Sequence, residues 1–153
     1  MAPEKATSRQ VPRAARGRHR VTYLLDTDTV SYLLKNHREV LHKASRVPSD
    51  RWAISAISAC ELESVRGPRV AEGSWKTRIE PFLSAVSILP FGADEARTGG
   101  EITRFLAGKG LASGPYDILI AAQALVAGAT LVTHNTRHFD QIPLLRLEDW
   151  AAE

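Results

Sequence analysis

Three things are scarce in this chain of 153 residues: cysteine, methionine and uninterrupted apolar sequence. The single cysteine, Cys60, excludes an intramolecular disulfide and any multi-cysteine zinc site, and it suits a reducing, cytoplasmic compartment. The longest apolar run, Ile118 to Ala129, is broken by Gln123 and Gly128 and falls short of the ~20 residues that span a bilayer. No membrane association is expected. Residues 1–20 hold no apolar segment, which excludes a secretory signal there. There is no internal repeat. What is present is ordinary: 44% apolar and 24% charged residues, near globular averages. That composition excludes a disordered chain, a fibre and a coiled coil. The length fits one domain able to bury about two-thirds of its unfolded surface.

The formal charge of +3 is unevenly spread. Residues 1–20 carry six Lys/Arg against one acid, whereas the remaining 133 residues carry 14 basic and 16 acidic groups. The basicity therefore belongs to the first 20 residues, which have neither helical nor strand periodicity and are expected to form a disordered tail. That tail is a passive extension or, through its arginines, an RNA contact. Met1 is the only methionine and patterned sequence begins at Val21, so a start at that valine would remove the tail.

From Val21 onward, short apolar runs alternate with helical patterns. Strands are expected at Val21–Leu25, Trp52–Ser55, Ser87–Pro90, Thr130–Thr133 and Leu144–Leu147. Helices are expected at Thr29–Leu34, Glu39–Val47, Ser58–Arg66, Ser74–Val86 with a kink or restart at Pro81, Asp94–Leu106 weakened by Gly99-Gly100, and Pro115–Ala127. The last is apolar on nearly every face and should be buried, opened by Pro115 and closed by Gly128. This alternation predicts an α/β fold: a mainly parallel sheet of four or five strands with helices on both faces, α/β/α in three layers. In such sheets functional groups gather beyond the carboxyl ends of the strands.

The polar residues at those positions are Asp26 and Asp28 after the first strand, Glu61 after the second, Asp117 at the start of the apolar helix and Asn135 after the fourth strand. Three separate segments thus deliver carboxylates to one edge. Clustered carboxylates raise each other's pKa unless a cation neutralises them. An oxygen-only set favours Mg²⁺ or Mn²⁺, and a carboxylate-held metal suits phosphodiester hydrolysis by an activated water. Each acid also has a structural reading. Asp26 or Asp28 can cap a helix, Ser58-Ala59-Cys60-Glu61 matches a capping box, Asp117 complements a helix dipole, and Asn135 can form an Asx-turn. Asp117 strains that reading most, because its neighbours are apolar and a buried lone carboxylate is costly.

Four stretches carry a resemblance: Leu24-Leu25-Asp26-Thr27-Asp28, Ile54 through Leu62, Gly114 through Ala122, and Leu131 through Phe139. In order, they resemble the motifs of PIN-domain nucleases, and Leu145-Arg146-Leu147-Glu148-Asp149-Trp150 resembles the end of the VapC toxin branch. The likeness covers residues 21–150. It implies a PIN-like nuclease domain over 21–153 that acts as a Mg²⁺-dependent endoribonuclease, the toxin of a type II toxin–antitoxin pair. It also implies a homodimer held in check by a VapB-type antitoxin. By position, Asp26, Glu61 and Asp117 match the catalytic, metal-holding acids, Asn135 the polar catalytic residue after the fourth strand, and Ser58 a supporting hydroxyl, which with Arg137 is expected to contact substrate. Two departures stand out. The family usually has asparagine at Asp28, and many members have an acid at His138. The fourth ligand is therefore Asn135, Asp140 or a water, and His138 is an RNA contact or an idle loop residue. RNA needs cations, for which Lys35, Arg38, Lys43, Arg66, Arg69, Arg104, Lys109 and Arg137 are candidates, with Arg137 foremost. Tyr32, Trp75 and Phe82 fit core or dimer positions better than stacking platforms.

Two other readings are open to the same residues. Asp26-Thr27-Asp28-Thr29-Val30 also fits the first motif of haloacid-dehalogenase phosphatases, with Asp26 as nucleophile, although no later paired-acid motif follows. Alternatively, an intact but catalytically inactive fold binds RNA or a protein partner.

Overall fold

A computed structural model describes residues 20–153 of the chain. The expected tail over residues 1–20 lies outside the described residues, apart from Arg20. Five strands form one parallel sheet: β1 (Tyr23–Leu25), β2 (Trp52–Ser55), β3 (Ile88–Leu89), β4 (Thr130–Val132) and β5 (Leu147–Glu148). Their order is β3-β2-β1-β4-β5. Seven helices connect and flank them: α1 (Thr27–Leu34), α2 (Arg38–Arg46), α3 (Ala56–Arg66), α4 (Ile79–Ala85), α5 (Ala93–Gly108), α6 (Pro115–Ala127) and α7 (Thr136–Phe139). No helix among the described residues is long and apolar enough to cross a membrane.

The strands are only two to four residues long, yet their alternation sorts the core into two layers. Leu24, Ala53 and Leu131, adjacent in register, face α5 and α6 and pack with Ile102, Leu106, Ile120, Ala121 and Phe139. Leu25, Ile54 and Val132, one residue on, face α1 to α4 and pack with Val30, Leu34, Val40, Leu62, Ile79 and Trp150. Both sheet faces are therefore covered, which accounts for the continuous apolar character of the strands. Tyr32, Trp75 and Phe82 pack, half-buried, against the second layer.

The expected elements are present, most with ends shifted by one or two residues, and four differences go further. The segment Ser74–Val86 is a 3-10 turn at Trp75–Arg78 followed by α4, with Pro81 in the first turn of α4, where its missing N–H costs nothing. β5 begins at Leu147, three residues after the expected start. Leu144 has φ +65° and is 93% exposed, so it belongs to the preceding loop. The expected loop after Asn135 holds the one-turn helix α7. Helix α6 is enclosed only in the middle, from Ile120 to Ala124, while Tyr116 and Val126 at its ends are exposed. Its bounds coincide with the expected ones because Pro115 opens it and Gly128, at φ +63°, closes it.

The glycine pair in α5 has two different explanations. Gly99 is buried where α5 crosses α6, and a Cβ there would meet Leu119 Cδ2 at 3.6 Å and Ala122 Cβ at 3.8 Å, so nothing larger than alanine fits. At Gly100 a Cβ would meet only the tip of Arg104, at 3.9 Å. Gly100→Ala should therefore stabilise the protein by about 0.5–1 kcal/mol through helix propensity alone. Urea unfolding should show a higher midpoint for Gly100→Ala and a lower one for Gly99→Leu.

Candidate active site

Asp26 sits at the centre of the sheet, where the chain leaves β1. Its backbone N–H donates to Val132 O at 3.0 Å, which ties it to β4, and its extended backbone (φ −75°, ψ 171°) makes it the N-cap of α1. The carboxylate Oδ1 accepts the Thr29 N–H at 2.7 Å. Thr29 is itself fixed by donating its hydroxyl to Val132 O at 2.9 Å. Asp26 is 5% exposed. Burial raises its pKa from 3.8 to about 6, the hydroxyl of Thr133 and the N–H of Thr29 hold it down in part, and the charge on Asp28 pushes it up further. Of the two capping readings, the structure uses Asp26 and leaves Asp28 free of that task. Asp28 instead accepts a hydrogen bond from the side-chain amide of Asn135.

Glu61 arrives from α3. The expected capping box starting at Ser58 does not form. Ser55, the last residue of β2, caps the helix by accepting the Ile57 N–H at 3.0 Å, which places Ser58 inside the first turn. Freed from the cap, Glu61 accepts the Thr27 hydroxyl at 2.7 Å across the gap between α1 and α3. Ser58 is fully enclosed, and its hydroxyl has no hydrogen-bond partner among the described residues. It cannot reach a substrate, so the expected substrate contact is corrected to a position beneath the site.

Asp117 lies in the first turn of α6. Its side chain is 31% exposed rather than buried, so the carboxylate that bears the burial cost is Asp26. The absence of a side chain at Gly114 leaves room for it, since a Cβ there would stand 3.4 Å from Asp117 Oδ2. The same oxygen is 3.2 Å from His138 Nδ1, which ties α7 to this acid. Asn135 follows β4, with its backbone N–H on the Thr133 hydroxyl at 3.0 Å.

Asp26, Thr27, Asp28, Glu61, Asp117, Ile120 and Asn135 line one recess of about 70 Å³. The structure thus brings together Asp26, Glu61, Asp117 and Asn135 from four segments. Asp140 is not among the lining residues; it is exposed, ends α7, and accepts from Gln141 Nε2 at 3.3 Å. Arg137 stands exposed on α7, with no ion-pair partner among the described residues. Of the other candidate cations, Arg66 is engaged by Glu63 and Glu80, and Lys35 lies 4.8 Å over the Trp75 ring. Sequence reasoning placed Asp28 at this edge but did not count it among the metal-holding acids; the structure sets it in the lining of the recess. The signal available was the departure from asparagine at that position.

The residues present fit a hard divalent cation. All the polar donors lining the recess are oxygen groups apart from the amide nitrogen of Asn135, and the raised pKa of Asp26 marks a charge that a cation would stabilise. As the side chains lie, no three acidic, histidine or cysteine groups among the described residues close on a single point; Asp28 and Asp117 are turned to Asn135 and His138. The phosphatase reading fares worse. A carboxylate buried and held as a helix cap is poorly placed to attack phosphorus.

The raised pKa of Asp26 has a sign. The folded state holds the proton more tightly than the unfolded chain, so stability is lost as pH rises from about 4 through 6. At about 1.4 kcal/mol per pH unit, the loss at neutral pH is at most ~3 kcal/mol. Asn caps a helix as well as Asp does. Asp26→Asn should therefore be about 1–3 kcal/mol more stable than the parent at pH 7.5, with the difference shrinking toward pH 4. Chemical denaturation across that range in metal-free buffer checks this.

Known proteins place the chain in a family. The PIN domain model matches residues 23–145. The chain is 34% identical over 128 residues to the tRNA(fMet)-specific endonuclease VapC of Salmonella typhimurium, covering 84% of this chain and 97% of that protein. It is 33% identical over 130 residues to ribonuclease VapC2 of Rickettsia felis, with 84% and 97% covered. The structure resembles the crystal structure of DNA-bound VapBC from Salmonella typhimurium with a TM-score of 0.77 at 34% identity, covering 85% of this chain and 98% of that one. The chain therefore belongs to the PIN-domain family and, within it, to the VapC ribonucleases of type II toxin–antitoxin systems.

Proposed function

We propose that this chain is a divalent-cation-dependent endoribonuclease, the toxin of its pair, that hydrolyses RNA phosphodiester bonds in the cytoplasm. Residues 21–153 form the nuclease domain. The observation that carries the reading is the convergence of four carboxylates, Asp26, Asp28, Glu61 and Asp117, on one small recess at the carboxyl edge of a parallel sheet. Mg²⁺ is the preferred occupant and Mn²⁺ a substitute. When bound, the ion supplies Lewis acidity and a water of lowered pKa for in-line attack on phosphorus.

The chain's own residues divide the remaining work. Asp26, Glu61 and Asp117 hold the ion. Asp26 is the fixed point, immobilised by the helix it caps and by β4. The Thr27 hydroxyl orients Glu61, and His138 orients Asp117. Asn135 steers Asp28, which supplies a further negative charge where Asn135 and His138 supply none. Ser58 stands one turn back from Glu61 in α3, enclosed and without a hydrogen bond of its own among the described residues. Arg137, without an ion pair among the described residues and next to His138, takes a backbone phosphate, because the acidic recess alone repels RNA. The chain resembles the VapC part of a VapBC complex, so a VapB-type antitoxin is the expected inhibitor; a homodimer is the expected toxin unit.

Asp117→Asn should abolish Mg²⁺-dependent cleavage while leaving the circular dichroism spectrum and unfolding midpoint close to the parent's. Sequencing of RNA ends after expression of the parent and of this variant reads the outcome. New ends bearing 5′-phosphate should appear with the parent alone. Equal cutting by both would remove Asp117 from the site, and no cutting by the parent would favour an inactive binding module.

A further inference from the structure

A second cavity adjoins the acidic recess and shares Asp117 with it. It lies between the α5–α6 connection and α7, and its volume is about 310 Å³. Leu106, Leu111 and Ala112 form its apolar side, and Ser113, Arg137, His138 and Gln141 its polar side. This is at the small end of the roughly 300–1,000 Å³ range of small-molecule sites, which suits one planar heterocycle and its sugar rather than a peptide helix. The polar groups are the kinds that recognise an unpaired nucleotide. Arg137 is an exposed guanidinium without an ion pair among the described residues. The His138 ring is 60% exposed, with its Nδ1 on Asp117, and is a planar group at the cavity wall. Ser113 and Gln141 bring a hydroxyl and an amide, which are edge-reading groups; their present bonds are long, to His138 O at 3.5 Å and to Asp140 Oδ1 at 3.3 Å, and a base edge would replace them. Single-stranded RNA is read by stacking splayed bases on such planar groups and by hydrogen bonds to their edges.

Building on the ribonuclease reading, we propose that this cavity is a nucleotide subsite, receiving the unpaired base next to the scissile phosphate and setting the cleavage preference at that position. Arg137 holds the adjoining phosphate, the base lies against His138 over Leu111, and Ser113 and Gln141 read its edge. Contiguity through Asp117 and the Arg137 charge, without an ion pair among the described residues, favour RNA over a protein segment as the occupant.

Two variants test this in the full chain. Leu111→Trp fills the cavity, and Ser113→Ala with Gln141→Ala removes the edge-reading groups. Binding is read by fluorescence anisotropy with short single-stranded RNAs randomised at one position, on an Asp26→Asn background that does not cut. Cleavage preference is read by sequencing RNA ends with Asp26 intact. Mn²⁺ titration by calorimetry, also with Asp26 intact, controls for the metal site. Leu111→Trp should weaken RNA binding about tenfold, the scale of one lost stacking contact, with Mn²⁺ binding unchanged. The double variant should broaden the base preference beside the cut while still cleaving. Unchanged affinity and an unchanged cleavage profile, with the parent cutting RNA normally, would overturn the subsite alone. Loss of antitoxin binding by Leu111→Trp with RNA binding intact would assign the cavity to protein. Failure of the parent to cut any RNA would remove the ribonuclease reading and the subsite together.

Discussion

The architecture turns on one carboxylate that folding makes costly to ionise. Asp26 is enclosed at the point where β1 passes into α1, and burial raises its pKa to about 6. A cap needs an acceptor there, but a neutral one would serve equally well. The charge is explained by what surrounds it. Asp28, Glu61 and Asp117 open onto the same recess, so further anionic groups gather beside the one carboxylate that is cut off from water. A protein gains nothing in stability from such a cluster. The cluster makes sense as a seat for a hard cation, whose charge turns mutual repulsion into shared attraction.

The sheet order explains why these groups meet. With β1 central, the chain runs outward through β2 and β3 on one side and through β4 and β5 on the other, which makes the β1–β4 edge the switch point. The connections that leave β1 and β4 there open a crevice between them. Asp26 caps one wall, Asn135 follows the other, and α3 and α6 bring Glu61 and Asp117 from the flanks. The hydrogen bonds that tie Asp26 and Thr29 to Val132 lock this junction, so the position of the site follows from strand pairing rather than from loop conformation.

Most of this was legible in the sequence because its signals are local. Pro115 and Gly128 bracket α6, and the apolar runs of β1, β2 and β4 mark strands covered on both faces. The errors arose where a local pattern had a competing tertiary partner. Ser58-x-x-Glu61 satisfies a capping rule, but Ser55 takes the cap and Glu61 finds Thr27, 34 positions away. Leu144 and Leu145 look like strand residues, yet Leu144 turns through positive φ into solvent. Asp117 is surrounded by apolar neighbours in sequence but sits in the exposed first turn of its helix. The pairings of Asp28 with Asn135 and of Asp117 with His138 span 107 and 21 positions and have no sequence signature at all.

The central claim is that Asp26, Glu61 and Asp117 share one divalent ion. Anomalous diffraction from crystals of the full chain soaked in Mn²⁺ tests it most directly. A peak inside the recess, with a carboxylate oxygen from each of the three acids in its coordination sphere, is the expected result. Three acids left apart, with no peak between them while Mn²⁺ binds elsewhere or nowhere, would contradict the account.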